Sequence, residues 1–235
     1  MLALRMIAVE LAHAGQAPTL TDLDLHLTPG WTGVIGANGA GKTTLLDLIC
    51  GHRRPSRGQL VRVPDELRVA RCPQAVGPLT DDVRALATAD DRSARRWRGR
   101  LGCAPTTLAR WSSLSPGERK RWQLAAALAG EPDLLALDEP TNHLDRPGRA
   151  AVVAALARFR GVGVIVTHDR AVLDELCTSV VRVDGGRARA YAGGYQVARA
   201  TWEAEAEARR AARAEAATTL ARRTPRATTW SPARR

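Results

Sequence analysis

The sequence is poor in aromatic side chains: one Phe, two Tyr and six Trp amount to 4% of its 235 residues. A core built mainly on stacked rings is excluded, so aliphatic side chains must fill it. Cysteine is scarce too. Cys50, Cys72, Cys103 and Cys177 are scattered, with no C-x-x-C pair, which argues against a disulfide frame or zinc cluster and for reduced, buried thiols. No apolar run approaches the ~18 residues of a membrane span, and no signal peptide is recognisable at the start. The expectation is a soluble, cytoplasmic protein. Lysine is nearly missing as well: Lys42 and Lys120 are the only two among 35 basic residues, the rest being Arg.

What is present is an ordinary globular composition, 45% hydrophobic and 25% charged, long enough for one α/β domain and a modest appendage. The net charge is +11. It is uneven: residues 187–235 hold 11 Arg against 4 Glu, a net of +7, leaving +4 for the first 186. Such a tail is either solvated or a binder of polyanions.

Hydrophobic periodicity orders the chain. Residues 6–11, 23–27 and 31–35 read as strands, the second with Leu23, Leu25 and Leu27 alternating with Asp24 and His26. A helix is expected over 42–50 with Gly51 as its C-cap. Residues 60–63 and 67–70 look like a strand pair around Pro64-Asp65, and 80–128 like an Ala-rich helical middle. Two short apolar strands, 134–137 and 162–167, flank a helix over 149–159, a pattern that argues for a parallel sheet covered on both faces. A hairpin is expected over 179–191 around Asp184-Gly185-Gly186, then a polar helix over 196–223 and a basic coil.

The strongest motif is Gly36-Ala37-Asn38-Gly39-Ala40-Gly41-Lys42-Thr43-Thr44. It fits G-x-x-x-x-G-K-[ST] and lies between a strand and a helix, where a phosphate loop must lie. Its glycines let backbone N–H groups turn toward phosphate oxygens, Lys42 brings a point charge, and Thr43 offers a hydroxyl to Mg2+. The helix N-terminus adds partial positive charge. Downstream, an apolar strand ends in Asp138 and Glu139. Asp138 is placed to hold Mg2+ through water, and Glu139 to act as general base on an attacking water.

Leu114-Ser115-Pro116-Gly117-Glu118, 23 residues before Asp138 counted from Ser115, resembles the signature motif of ATP-binding cassette (ABC) proteins. Gln74 resembles the Q-loop glutamine, Thr141-Asn142-His143-Leu144-Asp145 the D-loop, and His168 the switch histidine. The motifs stand in the family's order across roughly residues 6–191. The resemblance implies an ABC-type P-loop NTPase fold: a core parallel sheet with flanking helices, an antiparallel β portion and a helical subdomain at about 78–130. It also implies ATP and Mg2+ closed between the phosphate loop of one cassette and the signature of another. Ser115 and the Gly117 N–H would complete the γ-phosphate shell, His168 would contact that phosphate, and Gln74 would join Thr43 and Asp138 at Mg2+. The partner is then a second cassette, as a homodimer or on another chain.

The Asn-His pair in the D-loop, the segment 63–74 and Tyr191-Ala192-Gly193-Gly194-Tyr195-Gln196 before a charged helix resemble the ABC-F subfamily. That implies a translation or antibiotic-resistance ATPase acting on the ribosome. Residues 1–191 would form the cassette, and 192–235 the start of an inter-cassette linker with a basic tail. The alternatives are the ATP-binding subunit of an ABC transporter, with a membrane permease as partner, or a truncated cassette that only binds nucleotide. Pro116 removes an N–H from the signature, and His13 stands where the family usually stacks an aromatic on adenine. Trp97 among the arginines of residues 92–100, Trp202 and the tail are candidate RNA contacts, whereas Trp31, Trp111 and Trp122 are expected to pack.

Overall fold

The computed structural model describes residues 2–12 and 18–223. Two compact units are distinguished, Met1–Ala198 and Arg199–Arg235. In the first, β1 (Ala3–Leu11), β2 (Leu20–Leu27) and β4 (Arg57–Val63) form a three-stranded antiparallel sheet in the order β2-β1-β4. A six-stranded sheet runs β5 (Val69–Cys72), β6 (Leu134–Asp138), β7 (Val162–Val166), β3 (Gly30–Ile35), β8 (Cys177–Asp184) and β9 (Arg187–Ala192). Its first five strands are parallel, and β9 returns antiparallel to β8 through the expected Gly-Gly turn.

Alternation along β6 explains how this sheet is covered on both faces. Leu134 and Ala136 join a core with β1, β2 and α1 (Lys42–Cys50), whereas Leu135 and Leu137 join the core under the helices. Those helices are α2 (Asp81–Thr88), α3 (Arg92–Leu101), α4 (Pro116–Ala129), α5 (Arg146–Leu156) and α6 (Arg170–Leu176), with a 3-10 segment at Pro105–Ser113. Trp31 and Trp122 are buried and Trp111 is half-buried, so all three pack as expected. All four cysteines are free and buried.

The structure departs from the sequence reading in four places, one of them Trp202, which is only 8% exposed and so offers no open ring to bases. β4 and β5 are no hairpin pair: Val63 faces Ala3 in the small sheet, and Val69 faces Leu134 in the large one. α6 has no counterpart among the expected helices. Trp97 is only 6% exposed; it belongs to the apolar stripe Ala94, Trp97 and Leu101 of α3, so its ring is not a platform for bases. α7 (Tyr195–Arg223) starts at the turn after β9. Its portion beyond Ala198 is the described part of the second unit, where Arg199 donates to Glu203 at 2.7 Å. No helix among the described residues is long and apolar enough to cross a membrane.

Candidate functional site

The loop after β3 is shaped by close approach. A Cβ on Gly36 would lie 2.4 Å from the Val183 carbonyl oxygen, and Gly41, the N-cap of α1, has φ +100°; only glycine suits both positions. The Lys42 ammonium arches back over this loop, donating to the carbonyls of Gly36 at 2.9 Å and Ala37 at 3.0 Å. One residue on, the Thr43 hydroxyl donates to Asp138 Oδ2 at 3.1 Å. That bond joins the first turn of α1 to the end of β6 across 95 residues of chain.

Where β6 ends, two carboxylates are buried together: Asp138 is 5% and Glu139 6% exposed. The Glu139 N–H donates to Val166 O at 2.8 Å, continuing the β6–β7 ladder, while its φ of +47° turns the chain out of the strand. A left-handed conformation at a non-glycine residue costs energy and is characteristic of functional sites. Burial pushes the Glu139 carboxyl above the usual carboxylate range, although His168 and Thr167 hold it back. His168 Nε2 lies 3.6 Å from Glu139 Oε1, an atom that is buried without a hydrogen-bond partner among the described residues.

His168 is itself exposed but held on both sides. Thr167 before it is buried. Asp169 after it caps α6, accepting from the N–H groups of Ala171 at 3.1 Å and Val172 at 3.2 Å. The same carboxylate takes a two-pronged bond from Arg149, at 2.6 and 3.0 Å, which lowers the Asp169 pKa.

These residues share one open hollow of about 470 Å3, at the carboxyl ends of β3, β6 and β7. Asn38, Gly39, Gly41, Lys42, Thr43, Thr44, Gln74, Asp138, Glu139 and His168 line it, with Thr19, Asn142 and Val166. Gly36, Ala37 and Ala40 belong to the same loop. Ser115 and Gly117 are not among its walls. His13 lies outside the described residues, as does the tail beyond residue 223.

The family pattern described as ABC transporter matches residues 20–142. The chain belongs to the ABC transporter family. Cassettes of this family bind and hydrolyse ATP, and this chain is such an ATPase cassette. It is 33% identical to the ribosome protection protein VmlR of Bacillus subtilis, over 69% of this chain and 28% of that protein. It is 35% identical to the zinc import ATP-binding protein ZnuC of Paracoccus denitrificans, over 75% of this chain and 74% of that one. The chain spans about a quarter of the length of several relatives it matches, VmlR among them. In fold it resembles the solved post-hydrolysis dimer of the ATP-binding cassette MJ0796 bound to ADP and Pi, with a TM-score of 0.67 and 19% identity over 80% of this chain and 98% of that one.

In this cassette the Leu114–Glu118 segment, which resembles the ABC signature, leads into α4. Ser115 is the N-cap: its hydroxyl accepts from the Glu118 N–H at 3.2 Å, and Glu118 accepts from the Ser115 N–H at 2.8 Å. That backbone bond holds the Glu118 carboxyl below the usual range. Pro116 sits in the first turn, where its missing N–H costs the helix nothing. Gly117 is wedged against the D-loop, where an added Cβ would lie only 2.7 Å from His143 O.

Lys120 is a residue whose placement its sequence gives no reason to expect. At 2% exposure, its ammonium donates to the carbonyls of Pro73 at 2.6 Å and Gln74 at 2.9 Å, and to Gln123 at 3.2 Å. α4 is thereby bonded to the backbone of Pro73 and Gln74. Thr167 and Arg149, which fix His168, are likewise not singled out by sequence.

The donor set suits a hard cation. Among the described residues no cluster of His, Cys, Asp and Glu forms a complete metal cage. Thr43 and Asp138 instead offer two bonded oxygens beside the phosphate loop, with Gln74 on the same hollow. Mg2+ is held in this manner, by few protein oxygens together with substrate phosphates.

Proposed function

We propose that this chain is an ABC-F-like cassette that binds Mg·ATP, closes against a second cassette and hydrolyses ATP while working on the ribosome, in translation or antibiotic resistance. The observation that carries the nucleotide half is the meeting of Lys42, Thr43, Asp138, Glu139 and His168 in one hollow at the strand ends. Residues 36–44 take the phosphates through backbone N–H groups, and Lys42 places its charge at the β- and γ-phosphates. Thr43, Asp138 (through water) and Gln74 would hold Mg2+, which would supply positive charge for the phosphates.

Glu139 is the general base. Its burial raises its affinity for a proton, and Oε1, which makes no hydrogen bond among the described residues, is free to accept one from water. His168 supports the γ-phosphate from the neighbouring strand end. Ser115 and Gly117 lie apart from this hollow, so we assign them to the nucleotide of a partner cassette, where a capped helix N-terminus suits an anion.

Ribosome work is supported by the ABC-F-like Asn-His of the D-loop and by the likeness to VmlR. The second reading, a transporter subunit in the cytoplasm facing a permease, is supported by the share of ZnuC that the chain covers. Under either reading residues 1–191 act as the cassette, and 192–235 as a charged extension.

Lys42→Ala is expected to abolish Mg·ATP binding in calorimetry, because nothing else in the loop carries charge. Equal affinity in the two proteins would overturn the assignment. Salt-sensitive co-sedimentation with ribosomes supports the ABC-F reading; its absence, together with co-purification of a polytopic membrane protein, supports the transporter reading.

A further inference from the structure

At the opposite, amino-terminal ends of β5, β6 and β7 lies a second hollow, of about 400 Å3. With about 3.3 Å per strand residue, the five residues of β6 separate it from the nucleotide site by ~17 Å. Its charge comes from two parts of the chain, α3 and the segment just after α5. In α3, Ala94, Trp97 and Leu101 face the core. Arg95 pairs with Asp90 at 3.5 Å, and Arg98 donates to the carbonyls of Leu86 and Ala89, closing the end of α2. Arg96 and Arg100 have no such duty. They are exposed, four residues apart on one helical face, and lie 4.8 and 5.9 Å from the centroid of the Trp97 ring.

α3 packs on α5, and just after α5 come Arg158 and Arg160, both exposed and both on the rim of the hollow with Arg96. Partial loss of solvent, and then the charges of Arg158 and Arg96, lower the Arg100 pKa. The carboxylates here do not neutralise them. Asp133 is taken by Arg68 at 3.4 Å, and Glu131 makes no ion pair with any of the four among the described residues.

Like charges that outnumber the carboxylates beside them repel one another, and that repulsion is relieved by a polyanion. Guanidinium forks bind phosphate oxygens in pairs. None of the large exposed hydrophobics Ile7, Val61, Val63 and Val197 lines this hollow, so its walls present no such side chain to a bilayer. Trp97 is buried and offers no ring on which bases could stack, which leaves the guanidinium groups, and these suit backbone phosphates.

We propose that Arg96, Arg100, Arg158 and Arg160 form a docking surface for the phosphodiester backbone of structured RNA, independent of the nucleotide site. The choice of RNA rests on the ribosome reading above; the surface itself rests on the arginines.

The test uses the full chain and a short fluorescein-labelled RNA duplex, read by anisotropy from ~50 to ~200 mM salt. Arg96→Gln/Arg100→Gln/Arg158→Gln should weaken binding on the order of 10-fold or more, and flatten the log–log salt dependence by about one per arginine. A control with the same loss of charge, Arg5→Gln/Arg54→Gln/Arg57→Gln, should change either quantity far less. Mg·ATP binding should be the same in all three proteins. Equal RNA affinity and salt slope in the two triple variants would overturn the proposal, as would arginine-dependent capture by phosphatidylglycerol vesicles without RNA binding. If the first variant loses duplex RNA but the wild type ignores ribosomes, the surface stands and the ribosome reading falls. If that variant binds duplex RNA as the charge-matched control does while wild type co-sediments with ribosomes, the surface falls and the reading stands.

Discussion

Glu139 carries two local costs at once, a left-handed backbone and a buried carboxylate. The second depends on pH. Its pKa is raised by burial, so between the unfolded value of about 4.3 and the higher folded one the native state keeps a proton that the unfolded chain has lost. Stability therefore falls as pH rises through that window. Glu139→Gln cannot ionise, and its melting temperature should exceed that of wild type at pH 8, with the difference closing below about pH 4. Scanning calorimetry at several pH values checks this; a gap that is constant with pH would mean that ionisation is not the source. Lys120 shows the same principle resolved differently. Burial lowers its pKa, yet three hydrogen bonds receive its ammonium, so the charge is retained inside the protein.

Pairing between strands decides where a single methyl group can be added. Gly163 of β7 stands opposite Trp31 of β3, and a Cβ there would lie 2.5 Å from the indole. The ring cannot retreat, because its N–H donates to Leu156 O at 2.9 Å and its face meets Phe159 at a centroid distance of 5.5 Å. Gly163→Ala should thus destabilise by about 1–3 kcal/mol through overpacking, measured as a lower urea midpoint. An unchanged midpoint would mean that the sheet shifts freely. This contact also marks what can be read in advance. α1 and its Gly51 cap, β6, β7, the β8–β9 hairpin and the position of the glycine-rich loop between β3 and α1 are legible, because each rests on local periodicity or on a dense motif. β4 and β5 read wrongly as partners because strand pairing is settled by distant segments, Ala3 and Leu134, not by the turn between them. α6, with seven residues, is too short to display a period. Lys120 and Trp97 are hidden by composition, a buried cation and a core ring each set in a run of arginines.

In the molecule as a whole, the hollow that gathers Lys42 and Glu139 has no wall from Ser115 or Gly117. If a second cassette supplies them, activity per chain should rise with protein concentration, and Ser115→Arg mixed with wild type should depress it more than dilution does. A rate per chain that is flat from the lowest concentration upward, with no sign of a dimer in ultracentrifugation, would contradict this. The four buried thiols have a different use. Burial pushes Cys50 up to about 11 and Cys72, Cys103 and Cys177 up to about 12, whereas an unfolded thiol ionises near 8.5. Only the thiolate attacks an alkylating reagent, so in the native protein each cysteine is silent until its surroundings open. They act as four internal clocks, at the end of α1, on β5, after α3 and at the start of β8. Timed alkylation followed by mass spectrometry would read the opening rate of each region separately. Mg·ATP, gripping the start of α1, should slow the Cys50 clock more than that of Cys103, and equal slowing of all four would show that the cassette opens only as a single piece.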